Sequence, residues 1–123
     1  MKLSEVVEVL NATIFTPENY DGDKVVDFAF GSDMMSDALM LLRTAPDEFF
    51  ERGILLTGLV TRQSVRTAEM LDFGVVLIVR GKKPNDNVYD AAREAGVTLI
   101  GTDASMFSAS GKLYALGVRG VSD

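Results

Sequence analysis

The chain has 123 residues, enough for one compact domain, and 47% of them are hydrophobic, enough to fill a sizeable core. It holds no cysteine and no histidine, which excludes disulfides, thiolate chemistry and the commonest general base and metal ligand. A formal net charge of −6 argues against a nucleic-acid partner, and no apolar run nears the roughly 20 residues of a membrane helix.

The opening residues, MKLSEVVEVL, carry acids rather than a basic stretch before an apolar run. No secretory signal is read there, and a cytoplasmic location is expected. Ser4 to Leu10 predicts a helix with Ser4 as N-cap and an apolar stripe of Leu3, Val6, Val7 and Leu10. Thr13 to Phe15 predicts a short strand, and TPENYDGD a turn-rich segment marked by Pro17, Asn19, Asp21 and Gly22. Val25 to Phe30 predicts a second strand, ended by Gly31-Ser32. Asp33 to Arg43 is the most apolar helix of the chain, and its apolar residues cover nearly the whole circumference. Such a helix is either deep in the core or shared with a second copy at a symmetric interface. A small domain has few places to bury a helix fully, which favours the second copy. Ala45 to Arg52 reads as a loop with Phe49 and Phe50 packed under it.

From Gly53 the chain reads strand, loop, helix three times over: GILLTG then TRQSVRTAEMLDF, GVVLIV then RGKKPNDNVYDAAREAG, VTLIGT then DASMFSASGKLYALG. Gly96 stands where a helix C-terminal glycine belongs. This alternation predicts an α/β fold, a three-layer α/β/α sandwich around a mainly parallel sheet of about five strands. Residues 1–117 are expected to form a single domain, and 118–123, GVSD at their end, a flexible C-terminal tail. All three strand-to-helix loops then fall on one edge of the sheet, where α/β folds bind small ligands.

Those loops supply the candidate site. Thr57, Gly58, Thr61 and Arg62 follow the first strand of the repeat, with Arg66 one turn further on. Thr61 can cap the helix, while two cations in its first turns oppose the helix dipole and suit an anionic partner. On the bland reading Glu69 pairs with Arg66 at i,i+3 and Arg62 points into water. Arg80, Gly81, Lys82 and Lys83 form the densest basic cluster, and Gly81 admits a positive φ or close backbone approach. A phosphate or carboxylate fits there, and so does a simple solvated loop. Thr102 or Asp103, beside Gly101 and Ser105, reads first as the N-cap of the last helix. Asp33 and Asp37, flanked by Ser32 and Ser36, read as helix-start acids rather than as a magnesium site, because two carboxylates alone ligate a hard cation poorly. Ser110-Gly111 inside the last helix leaves room for another backbone, internal or across a dimer.

In order and spacing, the phrases MKLSEVVEVLNATI, SDMMSDAL, ILLTGLVTRQSVRTAEML, VVLIVRGKKP, AAREAGVTLIGT and MFSASGKLYALGV resemble the DRTGG domain, across almost the whole chain. That family is similar in fold to the N-terminal domain of HPr kinase. The resemblance implies a regulatory or ligand-responsive role and a tendency to pair with itself. The chain departs from the name-giving motif: Thr61-Arg62 stands where the family has Asp-Arg, and Val79-Arg80-Gly81 where it has Thr-Gly-Gly. The second loop is more basic as a result.

The function expected is a non-catalytic regulatory module, without cofactor or bound metal. It senses a nucleotide or phosphorylated metabolite at the strand C-terminal edge through Thr57, Gly58, Thr61, Arg62, Arg80, Gly81, Lys82 and Thr102. The alternative is a homodimeric protein–protein interaction module with no small ligand, presenting the methionine-rich helix. Catalysis is disfavoured because no nucleophile–base constellation is present in the sequence.

Overall fold

A computed structural model describes residues 1–122. In chain order the elements are α1 (Leu3–Val9), β1 (Thr13–Ile14), a 3₁₀ turn at Pro17–Asn19, β2 (Phe28–Gly31), α2 (Met35–Leu41), α3 (Asp47–Glu51), β3 (Gly53–Thr57), α4 (Arg62–Met70), β4 (Val75–Ile78), α5 (Asp86–Ala95), β5 (Thr98–Gly101) and α6 (Met106–Ala115). The sheet order is β1-β5-β4-β3-β2. Its four longer strands run parallel, and only β1 is antiparallel, pairing Thr13 with Gly101. The expected three-layer α/β/α sandwich is present.

Every residue of β3, β4 and β5 is buried, because these strands have helices on both faces. Strand alternation divides their side chains between two cores. Leu55, Val76, Ile78 and Leu99 meet α2, α3, α4 and α5 through Met35, Phe49, Val65 and Val88. Ile54, Leu56, Val75, Leu77 and Ile100 meet α1 and α6 through Leu3, Val6, Ala109 and Leu113. Phe73 is the hub of an aromatic cluster on the first face, edge-on to Phe49 and Phe50 at centroid distances of 6.1 and 5.2 Å. Among the described residues no helix is long and apolar enough to cross a membrane.

Several expectations are corrected. The first helix starts at Leu3 with Lys2 as N-cap, and the Lys2 N–H donates to Glu5 Oε1 at 3.0 Å; the Ser4 N–H is taken by the Gly22 carbonyl. The second strand starts at Phe28, because Val25 bridges to Lys2 and the Val26 N–H is spent on the Met1 carbonyl. The stretch read as a loop over 45–52 contains α3, which begins after Pro46 with Asp47 and Glu48 in the first turn. Burial of Phe49 and Phe50 holds that helix against β3.

The methionine-rich helix is not buried all round. Met35, Ala38 and Leu42 are buried, while Met34, Met40 and Leu41 are 59%, 57% and 58% exposed. Within the expected tail, Val118 and Arg119 are docked. Val118 is 3% exposed, the Arg119 N–H donates to the Asp27 carbonyl, and the Ala29 N–H donates to the Arg119 carbonyl. Arg119 thereby covers the first half of the β2 edge. Asp123, the last residue of the expected tail, lies outside the described residues.

Candidate functional site

The parallel register carries three chain segments to one rim. β2 and β3 pair from Phe28–Gly53 to Gly31–Leu56, so the exit of β2 passes beside the exit of β3. β3 in turn pairs with β4 through Thr57 and Ile78, which puts the loop after β4 on the same edge. At the end of β3 the Thr57 hydroxyl accepts the Leu59 N–H at 3.0 Å, folding a tight turn. The Gly58 N–H is then turned outward and donates to Asp33 Oδ1 at 2.6 Å. The other oxygen, Asp33 Oδ2, lies 3.3 Å from Arg80 Nη2. The guanidinium crosses Gly58 where any other residue would carry its Cβ.

Arg80 and Gly81 both adopt left-handed backbone, with φ of 64° and 69°. For arginine that conformation costs roughly 1–2 kcal/mol. Two bonds hold it: the Arg80 N–H donates to the Ala104 carbonyl at 2.8 Å and the Gly81 N–H to the Thr102 carbonyl at 2.9 Å. The loops after β4 and β5 are thus locked together, and the Arg80 side chain is aimed back toward β3. Asp33 sits at the focus. Its carboxyl is held below the ordinary carboxylate range, chiefly by the Gly58 N–H; burial opposes this, and the Arg80 and Lys82 charges reinforce it.

Of the residues singled out by sequence, Gly58 and Arg80 converge on this carboxylate, while Lys82 makes no ion pair with it among the described residues. Gly81, Lys82 and Thr102 also line a shallow cleft with Lys83, Asp103 and Phe15, about 40 Å³ in volume, room for no more than a few waters. A ligand at this edge would therefore lie on the rim. Thr57 and Thr102 are buried and serve the loops: the Thr102 hydroxyl donates to the Leu10 carbonyl at 2.8 Å. The cap of α6 is Ser105, whose hydroxyl accepts the Ser108 N–H at 3.1 Å, and not Thr102 or Asp103. Thr61 does cap α4, accepting the Ser64 N–H at 3.2 Å.

Arg62 is not brought to the cluster. It lies with Arg66, Glu69 and Glu94 in a groove of about 120 Å³ between α4 and α5. Among the described residues neither Arg62 nor Arg66 forms an ion pair, so the Arg66–Glu69 pair is absent. Asp33 is the residue whose part the sequence misassigned, as a helix-start acid. α2 has no side-chain cap; Ser32 instead closes a local turn before it, its hydroxyl accepting the Met34 N–H at 3.0 Å. A Cβ at Gly111 would meet nothing within 4 Å outside its own helix, so among the described residues no other backbone segment approaches it there.

No protein-family model matches the chain, and no curated protein matches it in sequence. Among solved structures, its fold is similar to the CBS and DRTGG domains of the regulatory region of Clostridium perfringens pyrophosphatase, complexed with the activator diadenosine tetraphosphate. The match has a TM-score of 0.65 and 16% sequence identity and covers 91% of this chain. The chain spans 45% of the length of that structure.

Proposed function

We propose that the chain is a non-catalytic, DRTGG-like regulatory module that takes a small anionic ligand, a nucleotide or phosphorylated metabolite, on the rim formed by the loops after β3, β4 and β5. The observation that carries this reading is the convergence of the Gly58 N–H and the Arg80 guanidinium on one carboxylate, beside a cleft lined by Lys82 and Lys83. Donors and cations arranged about one oxyanion suit another of similar geometry. The fold likeness to a regulatory region that holds a dinucleotide polyphosphate supports the same ligand class. Thermal unfolding in the presence of nucleotides and phosphorylated metabolites tests it. A ligand at 100 times its Kd stabilises by about 2.7 kcal/mol, a shift on the order of ten degrees for a domain of this size. No shift with any of them at millimolar concentration would overturn it.

A second reading has its own observation. β2 is an edge strand, and apolar side chains stand exposed on the helices flanking it: Met34 and Leu41 on α2, Phe107 (88% exposed) and Tyr114 on α6. Tyr114 lines a cleft with Ala29 and Gly31 of β2 itself. Apolar flanks on both sides of a short edge strand suit a second copy presenting the same face. Light scattering on the wild type and on Leu41→Asp with Phe107→Asp tests it. A monomeric wild type ends this reading.

A further inference from the structure

The geometry points to Asp33 as the resident occupant of an oxyanion subsite made by the Gly58 N–H and the Arg80 guanidinium, which an anionic ligand enters by displacing that carboxylate. The inference rests on the anion-binding reading above and adds to it the competitor and the moving part.

The Asp33 carboxylate spends one oxygen on a backbone N–H and the other on a guanidinium, the two donors a phosphoryl oxygen pair would use. The backbones that carry both donors are fixed. Gly58 is held by the turn closed on the Thr57 hydroxyl, and Arg80 by its left-handed backbone bonded to Ala104. Asp33 is the loosely held member. It is not within a helix or strand, its side chain is 48% exposed, and its only side-chain partners among the described residues are these two. A phosphate carries more charge than a carboxylate and competes well for an N–H and a guanidinium.

Displacement has a mechanical consequence. Asp33 directly precedes Met34, the N-cap of α2, and the segment 32–34 joins α2 to β2. Release of the carboxylate removes the tie from this joint to the loops after β3 and β4, leaving it held by the Ser32 N–H on the Leu56 carbonyl and by the Ser32–Met34 turn. The joint itself exposes Met34, and the helix after it exposes Met40 and Leu41. Ligand entry at the rim is thereby coupled to the placement of an apolar surface, the input and output that a regulatory module requires.

The test is titration with inorganic pyrophosphate followed by amide NMR, on wild type, Asp33→Ala, Asp33→Asn and Asp103→Asn. Asp33→Asn keeps an acceptor for Gly58 while removing the charge. Asp103→Asn removes a carboxylate beside Gly81 without touching Gly58, and so controls for charge alone. Removing a competitor that fills the site nine-tenths of the time tightens apparent binding about tenfold. Asp33→Ala is expected to reach that gain, Asp33→Asn to fall between, and Asp103→Asn to change it less than about threefold. In the wild type the Gly58 and Met34 amides are expected to shift together. If pyrophosphate binds with equal affinity to wild type and Asp33→Ala, or if Gly58 does not move, the occupant role is overturned while the anion site stands. If it binds neither protein, the anion-binding reading falls as well.

Discussion

Replacing Gly58 by alanine isolates the contact on which the site turns. A Cβ at this position would occupy the volume of the Arg80 guanidinium. The obstacle is the far end of a flexible side chain, and Gly58 does not adopt the left-handed backbone that alanine avoids. The protein can therefore accommodate the methyl by moving Arg80 away. The stability lost is that of a half-exposed ion pair, about 0.2–1 kcal/mol. Reduced freedom of the unfolded chain returns about 0.4–1 kcal/mol. The two nearly cancel, so urea unfolding of Gly58→Ala is expected to lie within about 1 kcal/mol of the wild type. The local electrostatics change more. Asp33 retains its bond to the residue 58 N–H but loses the nearby guanidinium, so its carboxyl titrates at higher pH than in the wild type while staying below the ordinary range. Side-chain carboxyl NMR across an acid titration reads this directly. A destabilisation above about 2 kcal/mol, or an Asp33 titration unchanged by the substitution, would refute the placement of Arg80 across Gly58.

The same substitution at Gly53 has the opposite balance, because its Cβ would meet the Phe49 backbone carbonyl and the Phe73 ring, neither of which can swing away; Gly53→Ala is expected to cost about 1–3 kcal/mol or more by urea unfolding. Phe73→Ala empties the centre of the aromatic cluster at a residue 1% exposed, and a loss of about 3–5 kcal/mol is expected in the same assay. Asp33→Asn tests the sign of the pH dependence. A carboxyl whose folded pKa is depressed stabilises above its unfolded pKa, and that contribution disappears as pH falls through the folded value. The variant is expected to be slightly less stable than wild type near neutrality, with the difference closing as pH falls below the ordinary aspartate range; a gap that widens in acid contradicts the arrangement.

How far the chain can be read from its residues depends on the range of the interaction involved. Strand–loop–helix alternation from Gly53 is legible because strand and helix periods are local, and three buried apolar runs with intervening amphipathic stretches admit few packings. The cap at Thr61 and the left-handed glycines at 81 and 96 are legible for the same reason, since each is settled within a few residues. The helix at Asp47–Glu51 is too short to carry a period, and only burial of Phe49 and Phe50 beneath it makes it stable. Val118 and Arg119 look like a fraying end until the core buries Val118 and β2 supplies a strand edge for Arg119 to pair with. Arg62 and Arg80 look equivalent in the sequence, each in a basic loop after a strand. Their separation was decided by backbone direction: α4 carries Arg62 into the groove facing α5, whereas the left-handed turn at Arg80 sends its side chain across Gly58. Asp33 is 25 residues from Gly58, and no local pattern links them. Sequence alone determined the layers and the rim on which loops meet. Which charges face each other across that rim is a consequence of the β2–β3–β4 register, a non-local property that exists only once the sheet has formed.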